Sequence, residues 1–331
     1  MENYPPYNIT DKMLNYVSEI MEKIGRANYF ESLNRFPELR RKSRIKSIHS
    51  SLAIENNKLS LPQVEDVING KIVIGEQKDI QEVKNAYKAY EQIDKVDPYS
   101  LDDLKKIHGI MTFLIEDDAG KFRNHGEGVY EGEKCIFMAP PENMVPILME
   151  NLYNWIKKYK NTVNPLILSS IFHYEFVFIH PFSDGNGRMA RLWQTAILSD
   201  WKDLFKFMPI ESIIKENQEE YYKVISDCDK AGNSNKFIEF MLKVINETID
   251  EVLIKQKTTQ ETTQETTQET TQEKILNIIR ENALVTQEEM ARILNITRDG
   301  VSYNIKALKD KGIIERKGST KKGAWVIKNN K

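Results

Sequence analysis

Residues 180–191 read HPFSDGNGRMAR. The stretch puts a histidine beside a proline, an acidic residue four positions on, the triplet Gly185-Asn186-Gly187, and two arginines three residues apart. Each feature suits a polyphosphate. Glycines let backbone N–H groups come close to phosphate oxygens. A helix beginning near Gly187 would offer unpaired N–H groups and a dipole that favours an anion. Arg188 and Arg191 then share a helical face and can hold one phosphate tail. Asp184 is a hard oxygen ligand of the kind Mg²⁺ uses beside phosphates. His180 is the group whose ordinary pKa lets it take a proton near neutral pH.

The segment resembles the signature of Fic domains, HPFx[D/E]GNGRxxR, at every specified position. The resemblance implies a mainly α protein, a Fic-type helical bundle that moves AMP from ATP to a Ser, Thr or Tyr hydroxyl of a protein. In that reading His180 is the catalytic base. Gly185, Asn186, Gly187, Arg188 and Arg191 bind the ATP phosphates, and Asp184 holds Mg²⁺.

Upstream, residues 34–56 read as a helix with Ile45, Ile48, Leu52 and Leu59 at helical spacing. Its end, SSLAIEN, puts Ser51 and Glu55 four apart on one face, with Asn56-Asn57 as the stop. The run resembles the inhibitory motif [S/T]xxxE[G/N] of Fic proteins through Ser51, Glu55 and Asn56. Lying before the core, it implies the class with an N-terminal inhibitory helix. The expectation is a bidentate Glu55–Arg191 pair in the place of the γ-phosphate.

The rest of the chain fits a helical bundle. Helices are expected over 11–32, 79–95, 100–116 (Ser100 as N-cap), 142–160, 164–179, 189–198, 211–228 and 234–256. Glycines at 126, 128 and 132 bracket two short β-type segments, a hairpin within 120–141. The resemblance makes this the flap that pairs with a target's backbone. His173 reads as a packed or capping residue. His49, His108 and His125 suggest no partner. By resemblance Tyr222 lines the adenine pocket, and Asp229 stands where relatives often carry an amide.

The 331 residues are 40% hydrophobic and 29% charged, ordinary for a globular protein with room for two domains. Cys135 and Cys228 form neither a metal spacing nor a disulfide framework, which points to a reducing cytoplasm. The start carries no signal peptide, and no apolar run approaches the roughly 20 residues of a membrane span.

Residues 258–273 are four copies of TTQE with no apolar residue, a linker by composition. Residues 274–331 carry 13 Lys/Arg against 6 Asp/Glu, a surplus of 7, which leaves the preceding chain at −9 within a total of −2. Helix, helix–turn–helix and basic hairpin follow in order and resemble a winged helix. Arg298, Ser302, Tyr303, Asn304 and Lys306 would read DNA, and Lys317, Lys321 and Lys322 would touch phosphates. A protein-binding winged helix is the competing reading. The expected domains are an N-terminal helical region (1–100), a Fic core (101–257), the linker (258–273) and the winged helix (274–331). The expected partners are a target protein, which can be the chain itself, ATP and DNA, with a homodimer left open. The alternatives are a Fic enzyme that removes AMP, a variant that transfers the γ-phosphate, and a nucleotide-sensing DNA-binding regulator.

Overall fold

A computed structural model describes residues 5–26, 37–131, 134–294, 296–318 and 323–328. The chain divides into two units, Met1–Val252 and Leu253–Lys331. In the first, α1 (Asp11–Arg26), α2 (Pro37–Ile54), α3 (Leu61–Ile68), α4 (Gln77–Tyr90) and α5 (Leu101–Met111) precede a hairpin of β1 (Gly128–Glu131) and β2 (Lys134–Met138). Helices α6 (Val145–Tyr159), α7 (Pro165–Ile179), α8 (Asn186–Trp201), α9 (Ile210–Glu216) and α10 (Gln218–Ala231) follow, and α11 (Asn235–Glu281) begins in this unit and ends in the second. The second unit adds α12 (Gln287–Leu294), α13 (Arg298–Asp310) and the antiparallel strands β3 (Ile314–Lys317) and β4 (Ala324–Ile327). No helix among the described residues is long and apolar enough to cross a membrane.

Helix α7 forms because Asn164 caps it, its side chain accepting from Leu166 N–H at 2.9 Å, and Pro165 stands at its start. Its residues are apolar on every side; Leu166, Leu168, Ile171, Phe172 and Phe176 are all fully buried. It packs along α8, which buries Met189, Leu192, Trp193 and Ile197. These two helices carry the stretch 180–191 between them, so the candidate site rests on the most deeply buried pair in the unit.

Helix α2, which carries Ser51 and ends before Glu55, packs against α4 and α9 with Ile45, Ile48 and Leu52 inward. It stops at Ile54 because Asn56 turns left-handed, φ 66°, and Asn57 N–H reaches back to Leu52 O at 3.1 Å. Helices α1 to α4 fall in one compact unit with the helices that follow them up to Val252.

Two expectations change. Residues 211–228 form two helices, because Asn217 leaves the helical region and bonds its side chain back to Ile213 O at 2.9 Å. Helix α8 starts three residues earlier than expected. The TTQE run, a linker by composition, is helical within α11. Apolar residues flank the run, Phe237 to Ile249 before it and Ile275 and Ile279 after it, all buried. Weakly helical threonine has only to propagate a helix, not nucleate one.

In the second unit Ile275, Ile279, Val285, Met290, Val301, Ile305, Leu308, Ile314 and Trp325 form the core. Thr286 and Glu289 make a reciprocal capping box at α12, with bonds of 2.8 and 3.2 Å. Ile296 lies before α13 and is 36% exposed.

Candidate active site

His180 ends α7 in a left-handed conformation, φ 51° and ψ 60°, with its N–H still bonded to Phe176 O at 3.0 Å. Pro181 forbids continuation of the helix. The turn throws the next residues into a loop that Asn186 closes: its side chain accepts from Phe182 N–H at 3.0 Å and donates to Phe182 O at 2.7 Å. The Asn186 carboxamide thus ties the loop together, while its backbone N–H stands in the first turn of α8.

Burial lowers the pKa of His180, opposed chiefly by the Glu127 carboxylate. The imidazole is therefore neutral at physiological pH, as a base requires. Gly185 caps α8 with φ 82°, and the first-turn N–H groups of α8 have no partners within the helix. Gly187 is needed for close approach, since a Cβ there would overlap Glu55 Oε1.

Arg188 is almost wholly buried between two carboxylates, 2.7 Å from Asp184 Oδ2 and 3.2 Å from Glu82 Oε1. Burial alone would raise the Asp184 carboxyl, but Arg188 and the Gly185 N–H outweigh it and hold it below the usual range. Arg191 takes Glu55 Oε1 at 2.7 Å, and Ser51 through both Oγ and O at 3.0 Å. The Glu55 contact is a single hydrogen bond, not the bidentate pair expected: Ser51 takes Nε and shares Nη2 with Glu55, and Nη1 is left without a partner among the described residues. Burial would lower the Arg191 pKa; Glu55 reverses this and raises it.

Two buried guanidinium donors, Arg188 Nε and Arg191 Nη1, have no hydrogen-bond partner among the described residues. An anion with several oxygens would satisfy them. No cluster of three His, Cys, Asp or Glu side chains that could cage a metal occurs among the described residues. Asp184 stands at the loop with Oδ2 on Arg188 and Oδ1 accepting from Gly185 N–H at 2.6 Å; a carboxylate beside phosphates is the ligand type that Mg²⁺ takes.

His108 and Glu82 carry no signal of a site in the sequence. His108 Nδ1 accepts from Gly120 N–H at 2.9 Å, so its proton sits on Nε2, which donates to Asp184 O at 2.9 Å. Its ring stacks on Phe182 at 3.6 Å. Burial pushes its pKa down to about 4. Both residues lie on ordinary amphipathic helices, where only the fold brings them to the loop. His173 is buried as expected, between Gln194 Oε1 at 2.6 Å and Tyr221 OH at 3.0 Å. Tyr222 is half exposed and its OH donates to Ile54 O at 3.3 Å, beside the end of α2. Asp229 accepts from Tyr174 OH at 2.9 Å.

In the second unit, Arg298, Ser302, Tyr303 and Lys306 of α13 are exposed. Asn304 is not, and this corrects its place in the recognition set. It faces the core and donates to Gly300 O at 2.8 Å. Lys317 is exposed on β3, whereas Lys321 and Lys322 lie outside the described residues.

A model of the Fic/DOC family matches residues 98–198, and one described as winged helix-turn-helix DNA-binding matches residues 268–315. The crystal structure of a Fic family protein from Desulfovibrio desulfuricans G20 is 36% identical, covers 99% of each chain and superposes with a TM-score of 0.72. A protein adenylyltransferase Fic from Culex quinquefasciatus is 28% identical over 62% of this chain and 41% of its own. One from Nematostella vectensis is 27% identical over 62% and 48%. The chain thus spans less than half the length of these curated relatives.

Proposed function

Because the chain belongs to the Fic family, we propose that it is a protein adenylyltransferase, moving AMP from ATP to a Ser, Thr or Tyr hydroxyl of a target protein and held in check by Glu55. The observation that carries this reading is the pair of buried, unpartnered donors on Arg188 and Arg191 at the amino end of α8, beside a neutral His180.

The ATP phosphates lie along the first-turn N–H groups of α8, where dipole and donors favour an anion. Arg188 and Arg191 neutralise the tail that leaves as pyrophosphate. Asp184 would hold Mg²⁺, which would add charge neutralisation to the phosphates. His180 accepts the proton of the attacking hydroxyl as the oxygen bonds to the α-phosphorus. Preorganised donors and positioning carry the rest of the rate.

Glu55 bonds to the guanidinium that would otherwise take the γ-phosphate. Its carboxylate fills the space left open at Gly187. ATP bound beside it lacks a partner for its tail, so the α-phosphorus lies out of line. The winged helix binds duplex DNA through the exposed face of α13, with phosphate contacts from the basic hairpin. Tyr222, at the end of α2, stacks on or borders the adenine.

The test uses the purified Glu55→Gly chain with ATP labelled on the α-phosphate and, separately, on the γ-phosphate. Label on the protein from the α position alone supports adenylyl transfer. Label from the γ position alone would replace it with phosphoryl transfer.

A further inference from the structure

Arg123 stands outside the signature and is 2% exposed. Its guanidinium appears in none of the ion pairs among the described residues; it is given over to carbonyls. Nε donates to His180 O at 2.7 Å, and Nη2 lies 3.5 Å from Ile179 O. Its backbone N–H donates to Pro181 O at 3.0 Å. The left-handed turn that ends α7 is thus bound along its length by one residue. These carbonyls have lost their helical donors, and a cation is the favoured partner at a helix carboxyl end.

The other half of the fork faces elsewhere. Nη1 donates to His125 O at 2.6 Å and Nη2 to Pro140 O at 2.5 Å. His125 lies just before β1 and Pro140 just after β2. Between them Ala139 N–H closes the hairpin base on Glu127 O at 3.0 Å. One planar, rigid group therefore joins both feet of the hairpin to the backbone of His180. A helix cap alone would need only the first set of bonds. The second set has no role in ending α7.

We propose that Arg123 is a positioning residue that sets the register of the hairpin against His180. An extended target segment paired to the hairpin then presents its hydroxyl at the imidazole. This rests on the adenylyl-transfer reading for its consequence, though not for the geometry. Loss of the bridge leaves the phosphate loop untouched, because none of the Arg123 bonds reaches residues 183–191.

The test compares full-length Arg123→Lys with the parent, both in the Glu55→Gly background. Lysine keeps the charge at the end of α7, but one ammonium cannot span both sets of carbonyls. Arg123→Met, which removes the charge, serves as the comparison, with circular dichroism verifying the fold. Hydrogen exchange read by mass spectrometry should be faster in Arg123→Lys over residues 126–140 and unchanged over 166–176. Self-labelling with AMP should slow by about tenfold or more, since a misplacement near 1 Å can cost on the order of 10²-fold. The ATP concentration for half-maximal rate should stay within about twofold of the parent. Unchanged exchange over 126–140, or loosening that spreads equally through 166–176, overturns the proposal. A parent that takes up no AMP counts against adenylyl transfer, and the exchange result still decides the role of Arg123.

Discussion

Arg191 Nη2 lies 2.7 Å from Glu55 Oε1 across 136 residues of sequence. The guanidinium side is 1% exposed and the carboxylate side 35%. A buried arginine cannot lose its partner cheaply, because an uncompensated buried charge is among the costlier defects a fold can carry. An incoming phosphate is a partner of the same charge class. In the proposed function the pair gives way to the substrate's phosphate, and the site's other groups can be tested with it in place or removed.

His180→Ala in the Glu55→Gly background should lower AMP transfer by about 10²–10⁴-fold while ATP binding stays nearly intact, since the imidazole serves the hydroxyl and not the phosphates. Calorimetry with ATP and a labelling assay check the two halves. Undiminished labelling would remove His180 from its role.

Asp184→Asn should move the Mg²⁺ dependence of transfer to higher concentrations. The amide keeps the shape and loses the charge that holds the cation. It also leaves Arg188 with Glu82 as its sole carboxylate. Activity against Mg²⁺ concentration is the measurement, and superimposable curves would exclude Asp184 as the ligand.

The fold should weaken in mild acid through His173. Burial pushes its pKa down to about 3, a shift that the Gln194 bond only partly opposes. Between the unfolded value near 6.5 and about 3, the unfolded chain binds a proton that the folded chain refuses. Stability is then lost as pH falls, by up to about 1.4 kcal/mol per unit for this residue. His108 acts in the same direction. Urea denaturation at pH 7 and pH 5 should show a loss of about 2 kcal/mol from His173 that His173→Gln removes. An equal loss in the variant would contradict this.

Much of this was legible in the sequence. The stretch 180–191 is contiguous, so its groups meet wherever the chain goes, and SSLAIEN carried both of its anchors on one helical face. What escaped was nonlocal. His108, Glu82 and Arg123 reach the site from α4, α5 and the loop before the hairpin, and their surroundings in sequence are unremarkable for surface helices and turns. Asn304 was misread for a related reason. It sits among exposed neighbours, but its place on the turn of α13 directs it to Gly300 and the core. Composition marked the TTQE run as a linker and left its helicity open, since propensity speaks to nucleation and its ends are fixed by packed helix on either side.

Full-length protein should bind mixed-sequence duplex DNA with an affinity that falls steeply with salt, since each phosphate contact displaces counterions. Lys306→Ala should reduce the slope of log affinity against log salt by about one contact. Asn304→Ala should act on the stability of the second unit instead. Fluorescence anisotropy across salt concentrations separates these effects, and no binding at low salt would assign the winged helix to a protein partner.

The most direct measurement is intact-mass spectrometry of the wild-type chain and of Glu55→Gly after incubation with Mg·ATP. Glu55→Gly should gain AMP on itself while the wild type gains little, and Glu55→Gln should fall between, because its amide still reaches Arg191 without the charge. Equal AMP gain by wild type and Glu55→Gly would contradict restraint by Glu55, and no gain by either would contradict adenylyl transfer onto the chain itself.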